Sequence, residues 1–161
     1  MKRRVFLCLL TVLCLLAGCV SNGNFPAGEN IACKDIALTV PGDFIDLSGE
    51  SYAKDADFMF GKDTLIFEGL AEYKPALKQM TLEQYTGYVI SGNKLDCSAE
   101  TYGNGYRFTY EKPVGDTVYT YVVATFEGAD NFWIFQFYCP KGDLEKNLPE
   151  IDIILSAVRP A

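Results

Sequence analysis

The chain is 161 residues long and carries 14 Lys and Arg against 21 Asp and Glu, a formal net charge of −7, with no histidine. An acidic chain of this kind lacks the basic face that draws nucleic acid or an anionic lipid surface, so no nucleic-acid partner is expected. Without histidine, a Ser-His-Asp or Cys-His mechanism within one subunit is excluded, as is a histidine-containing zinc site.

The first element is a leader. Lys2, Arg3 and Arg4 precede Val5 to Ala17, a run whose one polar side chain is Thr11. As a helix that run spans about 20 Å against roughly 30 Å of hydrocarbon, so a signal peptide over residues 1–18 is expected rather than a membrane-spanning helix. Leu16, Ala17, Gly18 and Cys19 resemble the lipobox of bacterial lipoproteins. That resemblance implies a diacylglyceryl group on Cys19, cleavage before it, and acylation of the new amino group. Acyl chains at about 0.8 kcal/mol per buried CH₂ hold a soluble domain at a membrane surface. The expected location is therefore the extracytoplasmic face of a cell membrane, with lipid on Cys19 as the attachment. Residues 19–30 contain Ser, Asn, Gly and Pro without an apolar period and read as a flexible tether. One domain, residues 31–161, follows, long enough for a core of useful size.

Within that domain, "IALTVPGDFIDLS" reads as a strand broken at Pro41-Gly42 with a short strand after it. "FMFG" and "TLIFEGLAEY" flank Lys62-Asp63 as a hairpin. In "MTLEQYTGYVISGN" the period changes: Leu82, Tyr85 and Val89 recur at helical spacing, Thr81 and Gln84 make a capping box, and Gly92-Asn93 supplies a stop. Four strands are expected next, "KLDCSAETY", "YRFTYEK", "TVYTYVVATFE" and "NFWIFQFYC". Asn104-Gly105 turns the first pair, Pro113 to Asp116 the second and Gly128 to Asn131 the third. Leu144, Leu148, Ile151, Leu155 and Val158 then form one helical stripe, in which Pro149 is expected to kink the helix or begin a new segment.

The last two strands are apolar on both faces. Val118, Val122, Ala124 and Phe126 lie opposite Tyr119, Tyr121 and Val123, and Phe132, Ile134 and Tyr138 lie opposite Trp133, Phe135 and Phe137. A sheet wet on one side would alternate apolar with polar residues. Both faces therefore need covering, and one helix before and one after the meander can do it. The expected fold class is α+β, an α/β/α sandwich with a mainly antiparallel sheet between two helices. Trp133 and Phe135 are expected beneath a helix, with Leu148 and Leu155 facing the sheet.

In its order of "LTVPGDF", "TLEQY", a Tyr- and Phe-rich meander and a closing "ILSAV" helix, the region from about 31 to 160 is similar to the PsbP-like (Mog-type) superfamily. That superfamily includes the extrinsic photosystem II subunit, the Ran-binding yeast Mog protein and many bacterial lipoproteins. The resemblance implies the same sandwich and a role in binding or assembly, with no reaction and no cofactor.

The chain carries few of the residue patterns that mark catalysis. G-x-S-x-G, P-loop and dinucleotide motifs are missing. "GNG" at 103–105 lies between strands and reads as a hairpin, not a phosphate loop. Asp55 and Asp57 near Asp43 and Asp46 lack the ligand alternation and closing Glu of a calcium loop, so no metal site is assigned. Of the three cysteines beyond Cys19, Cys33 and Cys139 bracket the domain and form a candidate disulfide, closing a loop worth up to roughly 4–5 kcal/mol; Cys97 is left over. Three buried free thiols are the alternative.

Two functions follow. One is a non-catalytic binding or assembly module for an envelope protein or a small apolar ligand, with Tyr102, Asn104 and Tyr106 around the projecting hairpin as the candidate partner surface. The other is a cell-envelope hydrolase using paired carboxylates, which requires two acids facing across a cleft with one pKa raised.

Overall fold

A computed structural model of the protein describes residues 28, 30–77 and 79–161. The leader, Cys19 and nearly all of the expected tether lie outside them. The chain order is β1 (Asn30–Cys33), β2 (Ile36–Thr39), β3 (Ile45–Asp46), β4 (Phe58–Lys62), β5 (Leu65–Tyr73), α1 (Leu82–Gly92), β6 (Glu100–Tyr102), β7 (Gly105–Val114), β8 (Thr117–Glu127), β9 (Asn131–Pro140), α2 (Leu144–Ser156) and β10 (Arg159–Pro160). Seven strands form one sheet in the order β3-β4-β5-β9-β8-β7-β6, and β1-β2-β10 form a second, smaller one. All of the pairings are antiparallel.

The two apolar faces of β8 and β9 each build a core. On one, Trp133, Phe135, Phe137, Val122 and Ala124 are buried with Ile151, Ile154 and Leu155 of α2 and with Ile31, Ile36 and Leu38 of the small sheet. On the other, Phe108, Tyr121, Val123 and Phe132 are buried with Leu82, Tyr85 and Val89 of α1. The Tyr85 ring stacks on Phe132 at 4.7 Å, and the Thr86 and Thr125 hydroxyls meet at 2.7 Å beside it. One helix thus lies on each side of a mainly antiparallel sheet. The capping box of α1 is in place: Thr81 Oγ1 accepts from Gln84 N at 3.2 Å, and Thr81 N donates to the Gln84 side chain at 3.0 Å.

Several expected elements differ. "NIAC" pairs with "IALT" as a hairpin of its own, with Lys34 at φ 52° in its turn. Its closing residue carries a structural load. Asp35, buried, accepts from Asn131 N at 2.8 Å, Asn131 Nδ2 at 3.0 Å, Trp133 Nε1 at 2.8 Å and Asp130 N at 2.6 Å, tying the small sheet to the β8–β9 turn. Of "KLDCSAETY" only Glu100–Tyr102 is a strand, because Leu95 and Cys97 are spent packing over the α1-side core. Pro149 begins no new segment: α2 runs unbroken through it. The carbonyl it leaves without a donor, that of Glu145, is in the exposed first turn and open to water. Leu148 is only half-buried, and Asn147 and Ile154 join Ile151 and Leu155 on the buried stripe.

The Cys33–Cys139 bond is not formed; Cys33, Cys97 and Cys139 are free thiols. Cys33 stands two residues before Asp35, which holds Trp133 at the start of β9. Cys139 is six residues farther along that extended strand, roughly 20 Å away. Bridged cysteines need Cα atoms within about 7 Å. Bracketing the domain in sequence did not bring the two together in space.

Candidate functional site

The expected partner surface sits at one edge of the large sheet, where β6 and β7 form a tight hairpin. Tyr102 pairs with Gly105, so the two turn residues are Gly103 and Asn104, one position earlier than Asn104-Gly105. Two constraints shift the turn. Gly103 takes φ 56°, which a side chain disfavours. Gly105 lies against β8 so closely that a Cβ would strike the Thr125 carbonyl oxygen and the Phe126 ring.

This register puts Tyr102 and Tyr106 on opposite faces, since Tyr106 pairs with Thr101 and not with Tyr102. Tyr102 packs against the α2-side core. Its hydroxyl donates to Asp152 Oδ1 at 3.1 Å, and the Arg107 guanidinium lies over its ring at 4.5 Å. Arg107 in turn bridges Glu100 at 2.9 Å and Asp152 at 3.1 Å. Burial, then the Asp152 carboxylate, push the Tyr102 phenol above its ordinary pKa. Tyr106 packs on the α1 side. The three expected residues therefore do not make one patch. They straddle an edge.

A concavity opens on each side of that edge. One, of about 390 Å³, lies between the hairpin and the first turn of α1 and is lined by Leu82, Glu83, Thr101, Asn104 and Tyr106. The other, of about 330 Å³, has an apolar floor of Phe126, Leu155 and Val158 and a polar wall of Tyr102, Asn104 and Arg159. Asn104 lines both. Neither is lined by two carboxylates, as a paired-acid hydrolase would need.

A second group is only partly visible in the sequence: Tyr110 and Tyr121 stand out among the meander tyrosines suited to recognition, but their link to Glu68 does not. On the α1 side of the sheet, Tyr110 of β7, Tyr121 of β8 and Tyr138 of β9 stack across three strands, at 4.7 Å and 5.4 Å between neighbouring rings. Gln136 accepts from the Tyr110 hydroxyl at 3.3 Å and donates to Glu68 of β5 at 2.6 Å. Burial, only partly offset by the Gln136 hydrogen bond, pushes Glu68 up to about 7, and the charge of Asp55 adds to the rise. The signal was present in "LIFEGLAEY", where Glu68 shares a face with Ile66 and Leu70. One acid among twenty-one did not stand out.

No family model matches the chain, and no curated protein matches it. Solved structures do. CyanoP, the cyanobacterial PsbP of Synechocystis sp. PCC 6803, superposes with a TM-score of 0.57 at 13% identity, over 91% of this chain and 99% of that one. A Bacteroides thetaiotaomicron protein superposes with a TM-score of 0.53 at 17% identity, over 78% of this chain. The match covers 45% of the Bacteroides protein, so the chain spans less than half of it. LpqN of Mycobacterium tuberculosis, involved in cell envelope biogenesis, has a TM-score of 0.48 at 13% identity, over 76% of this chain and 81% of that one. The mainly antiparallel sheet with its two helices is the PsbP-like fold, an α+β architecture. At these identities the likeness is one of fold.

Proposed function

We propose that the protein is an extracytoplasmic lipoprotein, anchored through acyl chains on Cys19, whose domain holds a partner at the β6–β7 hairpin without catalysing a reaction. The observation that carries this reading is the pair of concavities meeting at Gly103 and Asn104, on an edge of the sheet where an exposed turn lies between the first turn of α1 and the last turn of α2. Each concavity combines apolar floor with hydroxyl, amide or guanidinium groups, the mixture that recognition surfaces use. The turn itself is rigid: a two-residue hairpin whose register is set by a positive φ and a glycine pressed on β8. Among the described residues no helix is long and apolar enough to cross a membrane.

Tyr102→Ala and Tyr106→Ala, made separately, test the surface and sort its two sides. Binding to the partner, once captured through a crosslinker at position 104, is expected to fall about tenfold or more in the variant whose side is used. Unchanged binding in both single variants and in the double variant would place the partner elsewhere.

A further inference from the structure

The tyrosine row and Glu68 form a cluster that the hairpin reading does not use. Its polar atoms converge. The Tyr110 hydroxyl and Glu68 share Gln136 between them, and the phenols of Tyr110, Tyr121 and Tyr138 all feel the Glu68 charge. Glu68 and Tyr138 are half-buried and within reach of solvent, while Tyr110, Tyr121 and Gln136 are buried behind them. Among the described residues no Lys or Arg forms an ion pair with Glu68.

The surrounding charges do not supply the missing cation. Asp55, from the segment between β3 and β4, adds negative potential. Cys97, covering Tyr110, adds no positive charge. Lys112 shares the face of Tyr110 two residues on, but burial alone depresses its pKa, so Glu68 is not its counter-ion. The site is acidic and incomplete.

Chemistry narrows the ligand. An anion meets Glu68 and Asp55 and is repelled. A flat sugar or aromatic ring finds both faces of Tyr121 taken, by Tyr110 at 6° and by Tyr138 at 27°. What remains free are oxygens: the second carboxylate oxygen of Glu68 and the phenol oxygens of Tyr121 and Tyr138, set beside the half-buried side chain of Ile66, which pairs with Tyr138. Such a set calls for a compact cation with several N–H donors and an apolar tail. We propose that this cluster is a binding site for a small primary alkylamine, its ammonium group held by the Glu68 carboxylate and the Tyr121 and Tyr138 phenol oxygens, its chain lying along Ile66. The site is separate from the hairpin, and the inference does not depend on a partner there.

The test is an NMR titration of the full-length protein with butylammonium chloride, read at the tyrosine ring signals, with tetramethylammonium chloride and sodium chloride in parallel. Butylammonium is expected to give saturable shifts at Tyr121 and Tyr138 at pH 8. Because Glu68 is raised to about 7, affinity is expected to be about tenfold or more weaker at pH 5.5, where the carboxyl holds its proton. Tetramethylammonium, which donates no hydrogen bond, and sodium are expected to give no saturable shift. Glu68→Gln, which can still accept from Gln136, is expected to abolish both binding and its pH dependence. Tyr138→Phe keeps the ring in the stack and is expected to weaken binding about fivefold; it serves as the test if Glu68→Gln does not fold. Equal responses to all three salts, affinity independent of pH, or full binding by a folded Glu68→Gln or Tyr138→Phe protein would each overturn the proposal.

Discussion

Asp35 is a buried carboxyl and Glu68 a half-buried one, and the structure drives them in opposite directions. For Asp35, burial pushes the pKa up, but hydrogen bonds from Trp133, Asn131 and the backbone of Asp130 outweigh it and hold the group at about 2. Its folded value lies below the unfolded one, so its contribution is present above about pH 4 and lost as pH falls toward 2. Glu68 lies above its unfolded value, so stability is full below about pH 4.5 and declines as pH rises through 7. Thermal melts across pH 2 to 9 are expected to peak between pH 4 and 5. Glu68→Gln is expected to stabilise the protein by on the order of 2 kcal/mol at pH 8 and to change little at pH 4. Asp35→Asn is expected to cost about 2–4 kcal/mol by denaturant titration at pH 7, since an amide cannot accept from four donors as a carboxylate does. Neither residue was legible in the sequence. Asp35 is one acid in a Lys-Asp turn, and its partners are about a hundred residues away.

At the scale of elements, legibility followed locality. The α1 helix could be read from Thr81 to Asn93 because its capping box, apolar spacing and stop are all encoded within thirteen residues. The β4–β5, β7–β8 and β8–β9 hairpins were legible for the same reason, whereas the equally short Lys34-Asp35 turn between β1 and β2 was not. The register of β6 on β7 was not, because it depends on a contact between Gly105 and the distant Thr125. Gly105→Ala is therefore expected to cost about 1–3 kcal/mol, whereas a glycine in open space would tolerate the change. The buried stripe of α2 was read from apolar residues alone and so missed Asn147, whose position and not its chemistry puts it inside. Leu155 was read correctly: it is 2% exposed beside Ile151 and Ile154. Leu155→Ala is expected to lower stability by about 2–5 kcal/mol in urea unfolding. A loss under half a kcal/mol, the scale of a surface change, would mean that α2 does not dock as described.

For the whole molecule, the two-faced apolar pattern of β8 and β9 was enough to require a layer on each side, and the sandwich follows from that. The small β1-β2-β10 sheet was not foreseen, since β10 has two residues and pairs with a strand more than a hundred residues earlier. The hairpin that carries the candidate surface was legible in position but not in register: the pairing of β6 with β7 sends Tyr102 and Tyr106 to opposite sides, making two concavities of what reads as one patch. As to address, Cys19→Ser is expected to release a folded domain from the membrane fraction, checked by fractionation and immunoblotting. In the proposed role the hairpin tip meets a partner. The most direct measurement of that contact is photo-crosslinking in intact cells from a benzophenone side chain at position 104 of the full-length protein, with the same side chain at exposed Ile45 on the opposite edge for comparison. A discrete adduct from 104, weakened by Tyr102→Ala or Tyr106→Ala and not formed from 45, is the expected result; an adduct from 45 with none from 104 would contradict the account.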